Sequence, residues 1–143
     1  DLFDVFLLFK DSGYNEDVKN ALIQALVSHM RTVHEVLQPH LLDQRSAFDK
    51  QFQRMSDIPF SYEDFETTRE KLIETVNSSL SDPDRSFLLS FKRGTPNWDL
   101  YPIAGLEDLP AVQWKQLNIQ KLMKDNPKKH KALVVKLETL FAK

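Results

Sequence analysis

The sequence contains no cysteine and only three glycines, and no apolar run in it is long enough to cross a membrane. The lack of cysteine excludes disulfides, thiolate metal ligands and a cysteine nucleophile, and it suits a cytoplasmic protein. So few glycines cannot supply the turns of an all-β fold or a glycine-rich loop that binds phosphates. With no membrane-length run, we expect no membrane partner.

The rest of the composition is typical of one globular domain covering residues 1–143. The chain is 41% hydrophobic and 28% charged, and its length is sufficient for an independent core. It begins with Asp1 inside an apolar helical pattern. We therefore expect it to be a piece of a longer protein.

Apolar residues recur at helical spacing along most of the chain and predict an all-α fold, an irregular bundle of about six or seven helices. Residues able to start or end helices punctuate the pattern: Gly13, Asn15, Ser61, Ser81, Gly94 and Asn126. The first helix is apolar around almost its whole circumference, so we expect it to be central in the core. The second runs from Asn15 until Pro39 interrupts it. The third, over 46–55, carries Phe48, Phe52 and Met55 on one side.

The segment 87–118 combines a loop with an unusually apolar composition. Its loop carries Trp98, Leu100, Tyr101 and Ile103 before a helix opens at Leu109-Pro110. Loops are normally polar and exposed, so this one should be packed down on the protein. We expect it to lie on its flanking helices and on the helix that Ser61 begins.

Few residues form a pattern with catalytic chemistry. Asp1 and Asp4 are one helical turn apart and are the candidate catalytic carboxylates, although acidic residues are also favoured near any helix start. The four histidines lack the spacing of a metal site, and no serine lies in a nucleophile elbow. The residues themselves predict no metal ligand.

Charge is distributed unevenly along the chain. Residues 1–112 hold 11 Lys and Arg against 19 Asp and Glu, whereas eight lysines and two acids follow from Gln113 onward. Such a basic end suits either a polyanion or a solvated helix surface. Lys115, Lys121 and Lys124 are the candidate contacts for a phosphate or acceptor. The structural alternative for this helix is a buried Trp114, with Asn118 fixing a helix junction.

Two stretches resemble the C-terminal part of the AbiEii/AbiGii-type nucleotidyltransferase toxins, a bacterial and archaeal family related to type IV toxin–antitoxin systems. The first is DLFDV at the start, which is similar to a helix motif that ends the family's catalytic region. The second resembles the family's closing W-x-L…LPAxxWKxxN segment. Its matching residues are Trp98, Leu100, Leu109, Pro110, Ala111, Trp114, Lys115 and Asn118.

The resemblance implies a parent enzyme that moves a nucleotidyl group from an NTP, with Mg²⁺, to an acceptor such as tRNA. It implies an upstream nucleotidyltransferase domain, an antitoxin protein and tRNA as partners. The family's metal-binding aspartates precede the matched region, so only its closing aspartate motif corresponds to residues here, at Asp4 with Asp1 second. We therefore expect no cofactor and no catalysis in this chain alone. The alternative is a non-catalytic helical module that binds another protein.

Overall fold

The computed structural model describes residues 2–52 and 57–143 and confirms the all-α prediction. Within these ranges the chain forms eight α-helices, two 3₁₀ turns and no strand. The helices are α1 (Leu2–Asp11), α2 (Glu16–Ser28), α3 (Val33–Leu37), α4 (Arg45–Gln51), α5 (Tyr62–Ser79), α6 (Asp82–Arg93), α7 (Pro110–Asp125) and α8 (Pro127–Phe141). The 3₁₀ turns are Trp98–Leu100 and Leu106–Asp108. No helix of the described ranges is both long and apolar enough to span a membrane.

The predicted helix starts are confirmed by their hydrogen bonds. Asn15 caps α2 by accepting a bond from the Val18 amide at 3.0 Å, and Asn126 caps α8 in the same way. Ser61 and Ser81 each form a capping box with the aspartate three residues later. Local sequence therefore sets where these helices begin.

The second predicted helix is interrupted, which raises the helix count to eight. It ends at Ser28, and α3 begins at Val33 after a turn over 29–32. This turn is polar except for Met30, whose side chain is 79% exposed and not part of the apolar stripe. Because the helix breaks here, the carbonyl of Leu26 lacks the usual hydrogen bond from the amide of the residue four positions later. The Lys115 amine of α7 donates a hydrogen bond to this carbonyl instead.

The core surrounds α6, with α2, α7 and α8 packed against it. Phe87, Leu88 and Phe91 of α6 are almost completely buried. The residue 95–109 loop packs on its flanking helices as expected, because its 3₁₀ turns contact α6 and α7 and the Trp98 ring lies 5.8 Å from that of Phe87 and 6.2 Å from that of Phe91. The expected packing on the Ser61 helix is not among its main contacts. The loop also reaches α2, where the Tyr101 hydroxyl donates to the Asn20 carbonyl at 3.0 Å. Ile103, by contrast, is 53% exposed.

The expectation that α1 is central in the core is wrong. No described residue of α1 is buried. The helix packs along α5 on one side, and Phe3 and Phe6 join a cluster of rings with Phe52 and Phe60. An all-round apolar sequence indicated burial on every side, but within the described structure neighbouring elements cover only part of the helix.

The predicted helix 46–55 is realised as the shorter α4. The Phe48 and Phe52 rings lie on one side and stack at 5.3 Å, as predicted, whereas Met55 lies outside the described residues. At the end of α6, Gly94 has a φ of +89° in the left-handed region. A Cβ at Gly94 would come within 2.5 Å of the Met123 sulfur, so the end of this α7 side chain lies against the turn.

Candidate functional site

The predicted catalytic aspartates are only partly covered by the structure. Asp4 is exposed on α1, and Asp1 lies outside the described residues. Among the described residues, no group of three or more histidine, aspartate or glutamate side chains is placed to hold a metal. A catalytic role for Asp4 stays a prediction.

The three predicted phosphate-contacting lysines have different environments. Lys121 and Lys124 are exposed on α7. Lys115 is half-buried, and its Nζ donates hydrogen bonds to the carbonyls of Leu26 at 2.6 Å and Arg31 at 2.9 Å. Lys115 therefore joins α7 to the end of α2, a role that needs the folded structure to be recognised.

The prediction of a buried Trp114 is wrong, because its side chain is 58% exposed. The inward face of α7 is set by Val112, which is completely buried, and by Ile119. Two residues along an α-helix turn the side chain by about 200°. Trp114 therefore points away from the core face, and Asn118 is exposed as well.

A cavity of about 160 Å³ lies where the 28–32 turn, α6, α7 and α8 meet. Three of its lining residues are cations: Arg31, Lys92 and Lys115. Its apolar lining includes Ile119, Leu122 and Leu133, while Trp114 and Met30 add two exposed apolar side chains. No aspartate or glutamate of residues 2–52 and 57–143 lines it. A concavity lined by two largely buried lysines and apolar side chains is typical of a binding site.

The two lysines of this cavity have perturbed proton affinities. Burial, with a smaller effect from the nearby charge of Lys92, lowers the pKa of Lys115 to about 8. Burial also lowers the pKa of Lys92, which is 4% exposed, while the carboxylate of Glu35 acts in the opposite direction. Both shifts show that the protein holds positive charge where water solvates it poorly.

A second, larger groove of about 620 Å³ lies between α1 and α4. Aromatic side chains dominate it: Phe3, Phe48, Phe52, Phe60 and Phe65. It carries little polar chemistry, since Lys50 is the one charged lining residue among those that the structure describes. This surface suits contact with another polypeptide better than catalysis.

A basic surface extends over α7, α8 and the chain's last residue. Its exposed lysines are Lys121, Lys124, Lys128, Lys129, Lys131, Lys136 and Lys143. None of them forms a salt bridge with the residues that the structure describes. Unneutralised lysines on adjacent helices are able to attract a polyanion.

Comparison with models of known protein families, with curated proteins and with solved structures finds no match for this chain.

Lys92 is the site residue that our sequence reasoning missed. It follows Leu88 by four residues, and residues four apart lie on the same helix face. Because Leu88 belongs to the apolar stripe and is completely buried, this spacing already placed Lys92 toward the interior. A lysine at a core-facing position of an amphipathic helix was the available signal.

Proposed function

We propose that this chain is the C-terminal helical domain of a nucleotidyltransferase-like toxin of the AbiEii/AbiGii type. In this role it supports the transfer of a nucleotidyl group from an NTP to an acceptor such as tRNA. The proposal rests on the resemblance in DLFDV and in the closing segment from Trp98 to Asn118. The structural observation that supports it is the incompletely covered apolar surface of α1.

The α1 surface supports an upstream domain as partner. α1 is apolar around most of its circumference, yet it has no buried residue among those described. Removing apolar surface from water is favourable by about 25 cal/mol per Å², so a covering domain would be stabilised by this helix and by the adjacent groove. In the proposal, the upstream domain covers this surface and supplies the Mg²⁺ ligands, with Asp4 beside them.

The basic surface of α7 and α8 has a separate role in the proposal. Phosphate groups of RNA are bound mainly by lysine and arginine, and the affinity depends on the release of counterions. Lys121 and Lys124, one turn apart and both exposed, are positioned to contact consecutive parts of one backbone. They present the acceptor RNA to the catalytic domain.

The catalytic part of the proposal is tested with the longer protein that includes the upstream sequence. Labelled NTP, Mg²⁺ and tRNA are incubated with the parent, with Asp4→Asn and with Asp11→Asn, a control on the same helix. We expect transfer by the parent and the control and a loss of at least tenfold in Asp4→Asn. Transfer by the 143-residue chain alone, or none by the longer protein, would contradict the proposal.

The RNA-binding part is tested by charge reversal on α7. Replacing Lys121 and Lys124 by glutamate should weaken tRNA binding and flatten the dependence of log K on log salt by roughly one unit per lost phosphate contact. Lys50→Glu on α4 is the matched control and should leave both unchanged. If neither the affinity nor the salt slope moves in the double variant, the lysines are only a solvated surface.

The alternative function is a non-catalytic module that binds an antitoxin or other protein. The aromatic groove favours it, because such a groove is able to receive a partner's apolar side chains. The two functions differ in the upstream sequence. A strand with a glycine-serine turn followed by paired aspartates supports the toxin, and its absence supports the module.

A further inference from the structure

The cavity beside α6 contains a buried positive charge that the described protein does not neutralise. Lys92 is 4% exposed and lines the cavity, yet its amine forms neither a salt bridge nor a hydrogen bond with the described residues. The amine is not among the fully enclosed side-chain atoms that lack a hydrogen-bond partner, so it contacts the solvent-accessible space of the cavity. Glu35 on α3 favours the charged form but makes no salt bridge with it.

The dipole of α6 favours the charged form of Lys92. Lys92 lies in the last turn of the helix, where a cation interacts favourably with the carbonyl end. That interaction contributes about 0.3–1 kcal/mol, rising to about 2 kcal/mol in favourable buried geometries. It keeps the amine positive but supplies no specific partner for it.

Lys115 supplies a second amine to the same cavity, and its orientation is fixed. Two of its N–H groups are directed to the carbonyls of Leu26 and Arg31. A protonated lysine has three donors, so one N–H remains for a further acceptor. The neighbouring charge of Lys92 opposes protonation of Lys115, and an anion near both amines would remove that opposition.

The other lining residues limit what such an anion is. Arg31 is a third lining residue with a positive charge, and among the residues that the structure describes no acid lines the cavity to repel a negative ligand. Ile119 and Leu122 provide apolar contact. The volume of about 160 Å³ corresponds to roughly five water volumes. Lysine amines act as point charges and do not require a planar partner, so carboxylate and phosphate groups both suit them.

We infer that this cavity is a binding site for a small oxyanion, a carboxylate or a phosphate, held between Lys92 and Lys115 with its apolar part near Trp114. The site does not depend on the toxin assignment, and it would serve equally in a protein-interaction module. Its ligand would be a small molecule with one anionic group and a short apolar body.

The probes for the test are inorganic phosphate and benzoate, with sodium chloride at equal ionic strength as the control. NMR follows the indole N–H of Trp114 at the cavity, while Trp98, packed against Phe87, gives an internal reference. We expect a saturable shift of the Trp114 signal with at least one probe and little change at Trp98. Tighter binding of phosphate identifies a phosphate ligand, and tighter binding of benzoate identifies a carboxylate.

Substitution of Lys92 distinguishes a site from nonspecific binding. Lys92→Met keeps the chain length and removes the charge, so affinity for the probe should fall about tenfold to a hundredfold. Lys71→Met is the control, because Lys71 is exposed on α5 and is not a lining residue of the cavity, and it should bind as the parent does. The probe should also raise the melting temperature of the parent but not that of Lys92→Met.

Two results would overturn the inference. One is the absence of saturable binding by either probe, with Trp114 responding as it does to sodium chloride. The other is equal affinity in the parent and in Lys92→Met, which would place any bound anion elsewhere. Circular dichroism of Lys92→Met keeps these results interpretable, because the variant is expected to remain folded.

Discussion

A buried lysine lies near each end of α6, and only one of the two has acidic partners within the protein. Near the first turn, Lys19 of α2 is 6% exposed and contacts Asp84 at 2.9 Å and Glu16 at 2.7 Å. Near the last turn, Lys92 is similarly buried and has no such partner in the described structure. Burial alone does not indicate a site. The informative difference is whether the protein itself supplies the counter-charge.

The pKa values of the two lysines are shifted in opposite directions, as their different partners predict. Hydrogen bonds to Glu16 and Asp84 raise the pKa of Lys19 above its usual value, whereas burial lowers that of Lys92. For Asp84, burial alone would raise the pKa, but bonds from Lys19 and Ser81 lower it overall. The paired end is therefore a structural connection between α2 and α6, and the unpaired end is available to a ligand.

Breaking the salt bridge between Lys19 and Asp84 should produce the largest change in stability. Asp84→Asn leaves Lys19 buried with only the exposed Glu16 as partner, and we expect the free energy of unfolding to fall by about 3–5 kcal/mol. Urea denaturation at pH 7 measures it. Asp82→Asn, an exposed change in the same helical turn, is the control and should cost less than about 1 kcal/mol. Equal losses in both variants would show that the buried pair contributes little.

Raising the pH from 7.5 to 9.5 should stabilise the protein by about 1–2 kcal/mol, a figure that allows for solvent screening of the half-buried Lys115. The pKa of Lys115 is about 8 in the folded protein and 10.5 as the reference, so in this window the unfolded chain binds more protons. Stability then increases with pH, and Lys92 acts in the same direction. The raised pKa of Lys19 acts oppositely, but only above pH 10.5.

Urea denaturation across this window checks the pH prediction. Lys121→Met should keep the rise because Lys121 is exposed, whereas Lys115→Met should reduce it. A parent protein whose stability is flat or falls between pH 7.5 and 9.5 would show that Lys115 is fully solvated in its charged form.

Removing the unpaired charge should stabilise the protein. In buffer free of phosphate and carboxylates, Lys92→Met should raise the free energy of unfolding by about 1–2 kcal/mol, because a buried cation is replaced by an apolar chain of similar length. Lys19→Met is the matched comparison at the other end and should lower it. If Lys92→Met is destabilised as well, the two ends are equivalent and Lys92 is structural.

The smallest effect is expected at Arg93, the neighbour of Lys92. Its guanidinium contacts Glu138 at 2.6 Å, but the two side chains are 52% and 40% exposed. Exposed ion pairs contribute about 0.2–1 kcal/mol, so Arg93→Met should lower the free energy of unfolding by less than about 1 kcal/mol. In 1 M salt, which screens the ion pair, the parent and the variant should be equally stable. A larger, salt-insensitive loss would indicate a packing role for the Arg93 side chain.

Helix starts were predictable from sequence because their causes are local. Asn15, Ser61 and Ser81 cap helices through residues three positions away, and Gly94 ends α6 in the left-handed conformation. Which helix face becomes covered is decided by distant parts of the chain, and there the predictions were wrong. α1 was expected in the core, and Trp114 was expected to be buried.

The candidate cavity was predictable only in part. The spacing of Lys92 from Leu88 indicated a lysine that faces the interior. Nothing local indicated that Asp84 would pair with Lys19 and that Lys92 would have no acidic partner among the described residues. The hydrogen bonds of Lys115 join residues more than eighty positions apart and depend on the break after Ser28. Sequence periodicity has no information about such partners, because they are brought together only by the packing of α2 on α7.

The close approach at Gly94 lets α7 cover the end of α6. A Cβ there would lie 2.5 Å from the sulfur at the end of the Met123 side chain and 3.8 Å from Ile119, which lines the cavity. The positive φ of Gly94 is strained for any residue with a side chain. Position 94 therefore couples the end of one helix to the packing of the next through backbone conformation, and a substitution there would be felt first by the Met123 side chain.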